Sequence, residues 1–331
     1  MKKLILIQTG GTIAMTMKKD KAELDLDYWH QVIMEEFPEL STLADIETIP
    51  LFFEDSSDLN PDHWHSLAGV IEEKHDEVDG FVVLHGTDTM AYTSTALSFG
   101  FRGLKKPIVF TGSQVPMSNL RSDARRNLVN SIEIATCDIP EVSICFNDHV
   151  YRANRSTKMS IGDFDAFASP NIPPLAEIGL RIEIGNQVQR DAQPFLNQCT
   201  YQNRIFVLTI FPGMSVDYLN CLTLSELDAV IIRTFGSGNF PTKGPFSLLP
   251  FLEKCRDHGV IVSIVSQADF DAVDLKTYTA GRLALELGAV GAKDMTLEAA
   301  VTKMMWLTNQ YSDKDEIKEL YKRPLAGELT R

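Results

Sequence analysis

The feature that most constrains this chain is a unit repeated through its first half: a short apolar run, a small polar turn, then an amphipathic stretch. Apolar runs of strand length occupy Lys3 to Gln8, Gly80 to Leu84, Pro107 to Thr111 and Val142 to Phe146. They are continuous rather than alternating, the pattern of strands buried on both faces. Helical periodicity follows or separates them. Pro61 opens one helix with Asn60 as its N-cap and Trp64, Leu67, Ala68 and Ile71 on one face. Two more helices are predicted over 89–99 and 122–134. Parallel strands need crossover connections, so this alternation predicts an α/β fold with a mainly parallel sheet flanked by helices.

The pattern breaks between about Pro170 and Asn203, where Pro170, Pro173, Pro174 and Pro194 accompany a cluster of glutamines. Beyond it the alternation resumes. Strands are predicted over 204–210, 229–232 and 260–265, and helices over 247–258, 276–287 and 297–307. The chain has 331 residues, the length of two domains of about 150 residues. We expect an N-terminal catalytic domain over 1–185, a linker over 186–203 and a smaller C-terminal α/β domain over 204–331. No internal repeat or low-complexity tract is present.

Charge narrows the partners. Lysine and arginine total 31 against 45 aspartate and glutamate, a net charge of −14. A surface that acidic repels phosphate backbones, and no local basic patch offsets it, so no nucleic-acid partner is expected. A small molecule is the expected ligand. The five cysteines (Cys137, Cys145, Cys199, Cys221, Cys255) are scattered and form no CxxC pair, so neither a disulfide framework nor a zinc site is signalled. No His-plus-carboxylate spacing resembles a metal site; neither metal nor cofactor is expected. The apolar stretch Leu4 to Ile7 is shorter than the roughly 7 to 15 residues of a signal-peptide core. No run approaches the roughly 18 to 20 apolar residues of a membrane span. A cytoplasmic location without membrane attachment is the expectation.

In open parallel sheets, ligands bind beyond the carboxyl ends of the strands. Three such ends carry unusual polar content: Thr9-Gly10-Gly11-Thr12-Ile13, Asp55-Ser56-Ser57-Asp58 and His85-Gly86-Thr87-Asp88-Thr89. Singly, Gly-Gly after a strand makes a tight turn, and Thr or Asp before a helix makes an N-cap. Three converging on one sheet edge point to a site. A phosphate ligand is disfavoured, because the first stretch lacks the third glycine of a dinucleotide fingerprint and the Gly-Lys-Ser/Thr of a P-loop. Asp55, Asp58 and Asp88 would also repel an anion. Hydroxyls beside carboxylates suit an amino-acid-like ligand with an ammonium group.

Thr9-Gly10-Gly11-Thr12-Ile13-Ala14, followed about 75 residues later by His85-Gly86-Thr87-Asp88-Thr89-Met90, resembles the bacterial-type L-asparaginase family. The likeness extends to Thr111-Gly112-Ser113-Gln114, Asn154-Arg155-Ser156-Thr157-Lys158 and Arg233-Thr234-Phe235-Gly236-Ser237-Gly238-Asn239, and covers nearly the whole chain. The Asp55-Ser56-Ser57-Asp58 form is similar to the cytoplasmic type I branch. The resemblance implies hydrolysis of L-asparagine, with L-glutamine as a second candidate, through a covalent acyl-enzyme. It implies Thr12 as nucleophile, with Thr87 backed by Asp88 and Lys158 as the second catalytic group. An ordinary threonine hydroxyl needs a neighbouring base; burial favours a neutral lysine while a nearby carboxylate favours the charged one. Gly11, Asp55, Ser56, Ser57, Gly86 and Ser113 are implied substrate contacts. Asp88 is implied to take the ammonium and Ser56 the α-carboxylate. Asn239 is implied to reach a neighbouring subunit's site, so that a homodimer or homotetramer is expected.

Two departures accompany the likeness. Family members carry a tyrosine in the loop after the nucleophile, whereas here the first tyrosine is Tyr28. The stretch matching an acidic residue lent across subunits offers three candidates, Asp269, Asp271 and Asp274. An amino-acid sensor that binds without efficient turnover is the alternative function. An asparaginase-like subunit of a tRNA-dependent amidotransferase is disfavoured because the Thr-Gly-Gly-Thr motif begins at residue 9. His85, at the end of a buried strand, is expected to be a structural hydrogen-bonding group rather than a general base.

Overall fold

The computed structural model describes residues 1–14, 33, 35 and 37–330. They form two compact units, Met1–Cys199 and Thr200–Arg331.

The first unit is built on eight strands: β1 (Lys3–Gly10), β2 (Asp45–Glu54), β3 (Gly80–Leu84), β4 (Ile108–Thr111), β5 (Val142–Phe146), β6 (His149–Arg152), β7 (Ala176–Ile178) and β8 (Ile182–Ile184). Their order across the sheet is β8-β7-β6-β5-β4-β3-β1-β2. The five strands from β5 to β2 run parallel; β6, β7 and β8 extend the sheet by antiparallel pairing. The parallel part matches the reading of the apolar runs. β6 follows β5 through a two-residue turn at Asn147, whose φ of 53° is the left-handed conformation asparagine tolerates.

Both sheet faces are covered, as the unbroken apolar strands require. Leu4, Leu6, Val82, Leu84 and Val109 share one cluster with Leu128 and Ile132. The alternate residues Ile5, Ile7, Phe81, Val83 and Phe110 are equally buried on the opposite face. The flanking helices are α1 (Pro61–Lys74), α2 (Met90–Gly100) and α3 (Ala124–Ala135). α1 starts as expected: the Asn60 side chain accepts from Asp62 N–H, Pro61 stands in the first turn, and Trp64, Leu67, Ala68 and Ile71 are buried.

The second unit repeats the architecture on a smaller scale. Four parallel strands, β9 (Ile205–Thr209), β10 (Ala229–Thr234), β11 (Ile261–Ser266) and β12 (Val290–Gly291), lie in sequence order. Helices α4 (Leu249–Asp257), α5 (Thr279–Glu286), α6 (Leu297–Gln310) and α7 (Lys314–Tyr321) complete it. The first three fall on the predicted helical stretches. α7 was not anticipated, because its apolar face, Ile317 with Leu320 and Tyr321, spans only one turn of an otherwise charged stretch.

Residues 186–199, expected as part of a linker, are bonded into the first unit instead. Arg152 and Glu141, an almost buried pair joined at 2.6 and 3.0 Å, supply the anchors. Arg152 donates to Gln187 O at 2.7 Å, and Gln189 N–H donates to Glu141 at 2.6 Å. Leu196–Asn197 then pairs with Phe101–Arg102 as a short antiparallel ribbon. Proline and glutamine content marked an irregular path; it did not mark a free one.

Candidate active site

The strand order places a topological switch point between β1 and β3. The chain leaves β1 towards β2 on one side and leaves β3 towards β4 on the other. The connections therefore diverge and open a crevice at the carboxyl ends of these two strands. The three polar stretches singled out in the sequence follow β1, β2 and β3, which are neighbours in the sheet. They converge as expected.

Backbone contact fixes the crevice floor. Thr9 Oγ1 donates to Leu84 O at 2.7 Å, tying the ends of β1 and β3. Gly11 has φ of 83°, and a Cβ there would sit 2.5 Å from Gly86 N. Gly86 in turn leaves no room for a Cβ, which would lie 2.6 Å from Ser56 Oγ. All three stretches thus meet at van der Waals contact because two of them supply glycine. Thr12 begins a single 3₁₀ turn, Thr12–Ala14, straight after this contact.

A polar cluster stands beside that floor. Lys158 Nζ donates to Thr87 Oγ1 at 2.8 Å and to Asp88 Oδ1 at 2.7 Å. The Lys158 side chain is 15% exposed and that of Asp88 65%. The lysine is thus enclosed, while the aspartate presents a carboxylate oxygen outwards. Thr87 Oγ1 also donates to Gln114 Oε1 at 3.2 Å. Lys158 sits in a two-residue strand, Thr157–Lys158, paired with Phe167–Ala168, which carries it to a loop 71 residues away in sequence.

The Asp55–Asp58 stretch forms a 3₁₀ turn capped by its own first residue. Ser57 donates to Asp55 Oδ1 from its backbone N–H at 2.9 Å and from its hydroxyl at 2.8 Å. These bonds hold the Asp55 carboxyl below the usual carboxylate range. Ser56 is buried against Gly86, and its carbonyl accepts from Thr89 Oγ1 at 2.6 Å. Ser57 faces solvent. Ser113, at the end of β4, is buried, and its hydroxyl oxygen has no hydrogen-bond partner among the described residues. A buried hydroxyl without a partner is costly unless a ligand supplies one.

His85 is fully buried. Its Nδ1 lies 2.7 Å from Gly86 O, an acceptor, so Nδ1 carries the proton. Nε2 then accepts from Thr93 Oγ1 at 3.0 Å, and Thr93 accepts from Trp64 Nε1 at 3.1 Å. Burial lowers the His85 pKa to about 4, partly opposed by the bond to Gly86. The ring is a neutral strut beneath the Gly86–Thr89 turn, as the sequence suggested.

The remaining candidates lie in the second unit. Asn239 closes a tight turn with Phe235 through paired backbone bonds of 2.9 and 2.7 Å. Asp274 caps its own turn, accepting from Lys276 N–H at 3.0 Å and Thr277 Oγ1 at 2.9 Å. Asp269 and Asp271 line a small pocket with Arg233 and Lys293. Tyr28 lies outside the described residues. Among those residues, no group of three or more His, Cys, Asp or Glu side chains is arranged to hold a metal ion, and no helix is long and apolar enough to cross a membrane.

The family pattern "Asparaginase, N-terminal" matches residues 3–190, and "Glutaminase/Asparaginase C-terminal domain" matches residues 204–321. The chain belongs to the asparaginase family. It is 38% identical to L-asparaginase 1 of Escherichia coli K12, over 99% of this chain and 98% of that protein. Its fold superposes on the thermostable L-asparaginase from Thermococcus kodakarensis with a TM-score of 0.91 at 33% identity, covering 99% of each chain. L-asparaginase I from Vibrio cholerae gives a TM-score of 0.86 at 36% identity, covering 100% of this chain and 99% of that one.

Sequence reasoning overlooked three supports of this asparaginase fold's site. Thr89 bonds the Ser56 carbonyl. Asp123 accepts from Gln114 and Val115 N–H groups at 3.0 to 3.1 Å. Gln114 belongs to the Thr111–Gln114 motif, and its side chain bonds Thr87 and two backbone carbonyls. Nothing in residue spacing marks such contacts: Thr89 and Gln114 reach other loops, and Asp123 closes its own loop back on Gln114 and Val115.

Proposed function

We propose that this chain hydrolyses L-asparagine to L-aspartate and ammonia, with Thr12 as nucleophile. The observation that carries the reading is the enclosed Lys158 bonded to both Thr87 Oγ1 and Asp88, beside the Gly11–Gly86 contact from which Thr12 emerges. The Thr12 hydroxyl oxygen bonds to the side-chain amide carbon. The C–N bond breaks, and nitrogen leaves as ammonia carrying the hydroxyl proton. Water then splits the Thr12 ester and returns a proton to the hydroxyl. Thr87 and Lys158 shuttle these protons, and Thr12 or nearby backbone N–H groups stabilise the oxyanion.

Charge supports the rest of the assignment. The outward oxygen of Asp88 takes the substrate ammonium. Ser56, Ser57 and backbone N–H groups of the 3₁₀ turn take the α-carboxylate, with Asp55 holding that turn in shape. The unpartnered Ser113 hydroxyl faces the amide. L-Glutamine is the second candidate substrate, since one methylene changes pocket discrimination by only about 1 to 3 kcal/mol. The proposed assembly is a homodimer or homotetramer in which Asn239 completes a neighbour's site.

Ammonia release from asparagine by the wild type, Thr12→Ala and Thr87→Ala tests the reading. Turnover in the wild type and its loss in both variants, with asparagine still raising the melting temperature, is the expected result. Activity surviving both substitutions would overturn it. Binding without turnover in the wild type would favour an amino-acid sensor.

A further inference from the structure

We infer that Gln114 is the positioning residue for Thr87, holding its hydroxyl proton so that the Thr87 oxygen stays open towards Lys158. This rests on the proposed amidohydrolase reading and extends it to a side chain outside the catalytic set.

The orientation of the Gln114 amide follows from its partners. Its nitrogen lies 3.2 Å from two backbone carbonyls, Ser160 O and Asp163 O, which only accept. The NH₂ group must face them, so Oε1 must face Thr87. Oε1 is an acceptor only. The single proton of Thr87 Oγ1 is therefore given to Gln114, at 3.2 Å. That leaves the lone pairs of Thr87 for Lys158 Nζ at 2.8 Å. With the proton direction set on one side and the donor on the other, the hydroxyl has one arrangement.

Gln114 is itself held. Its backbone N–H and that of Val115 donate to the carboxylate of Asp123, which is 8% exposed. Asn127 donates to the same carboxylate at 3.0 Å and to Gly112 O at 2.9 Å, while its carbonyl accepts from Asn147 N–H at 2.9 Å. One side chain thus ties the end of β4, the Thr87 turn and the Ser160–Asp163 stretch that follows Lys158. A proton shuttle needs its donor and acceptor kept in line, and misplacement by a fraction of a hydrogen-bond length is costly to rate.

Steady-state ammonia release from asparagine is compared for the wild type, Gln114→Met, Gln114→Glu and Thr87→Val, each checked for its melting temperature. Methionine keeps the length of the side chain and removes the acceptor. Glutamate keeps an acceptor for Thr87 and loses the two donors to Ser160 and Asp163. The expected result for Gln114→Met is a fall in kcat of about tenfold or more, with KM within about twofold of the wild type. Gln114→Glu is expected to retain clearly more kcat than Gln114→Met. A kcat in Gln114→Met within twofold of the wild type would overturn the inference. So would equal losses in the two Gln114 variants, which would reduce the residue to a loop tether. A wild type without turnover, or a Thr87→Val variant as fast as wild type, would instead overturn the functional reading beneath it.

Discussion

Gly11 shows how little freedom single positions at this site have. Its φ of 83° is unfavourable for any side chain, and a Cβ would meet Gly86 N at 2.5 Å. Gly11→Ala should therefore push the Thr12 turn away from Gly86. We expect a loss of about 100-fold in ammonia release and a stability loss of more than about 1 kcal/mol, read from urea midpoints. Retained wild-type turnover would show that the contact is not needed for catalysis. His85 gives a second prediction, with a definite sign. Its pKa is lowered from 6.5 to about 4, so between these pH values the unfolded chain binds a proton that the folded chain refuses. Stability from the neutral ring is present above pH 6.5 and is lost as pH falls towards 4. The full difference is about 3 kcal/mol at 1.36 kcal/mol per unit. His85→Asn should flatten the decline of unfolding free energy between pH 7 and 4 relative to the wild type. Parallel declines would remove the assignment.

At the scale of elements, legibility followed how local each signal is. The cap of α1 could be read because every part of it lies within four residues: Asn60 accepts from Asp62, Pro61 begins the helix, and the apolar face follows. Asn60→Ala should cost about 1 kcal/mol of stability; a change within a few tenths in denaturant unfolding would contradict it. The parallel strands β1, β3, β4 and β5 were legible because burial on both faces leaves an unbroken apolar run. β2 was legible only as an apolar run ending at Phe53, without a start, since apart from buried Ile46 its residues Asp45–Glu54 are exposed or half-buried around Pro50 at the sheet edge. The antiparallel pairs β7 and β8 are three residues each, too short for periodicity to register. Motif residues Thr12, Thr87, Asp88 and Lys158 were identified by resemblance. Gln114, which bonds Thr87, comes from a different loop brought there by the sheet, and Asp123, nine residues further along Gln114's own loop, holds Gln114 in turn. The same reasoning explains the buried pair Lys303–Glu328, invisible in sequence because 25 residues separate its members. Lys303 also donates to the Tyr321 and Arg323 carbonyls at 2.8 and 2.6 Å, and the Leu325 and Ala326 N–H groups donate to Glu328. Removing one charge leaves the other buried: Lys303→Met should cost about 3 to 5 kcal/mol, and Lys303→Met with Glu328→Gln should cost less than Lys303→Met alone.

At the scale of the whole molecule, the proposed role of Asn239 makes each site the joint product of two copies. Asn239 lies in the second unit, where its backbone closes the Phe235–Asn239 turn. Its proposed role across a subunit boundary requires an assembly of two or four 37.0 kDa chains, which light scattering measures directly. Symmetry supplies a sharper test than mass. In a two-fold dimer each site would take Thr12 from one chain and Asn239 from the other. Thr12→Ala and Asn239→Ala homo-oligomers would then both be impaired. A mixed dimer would combine both defects in one site and neither in its mate. If the chains are unfolded and refolded together in equal amounts, half the dimers are mixed and half of their sites are intact. Recovery of about a quarter of wild-type activity is expected on random pairing. If Asn239 serves its own chain's site instead, every site in the mixture carries one defect and refolding together recovers nothing. That outcome would leave the hydrolysis reading standing and confine each active site to one copy.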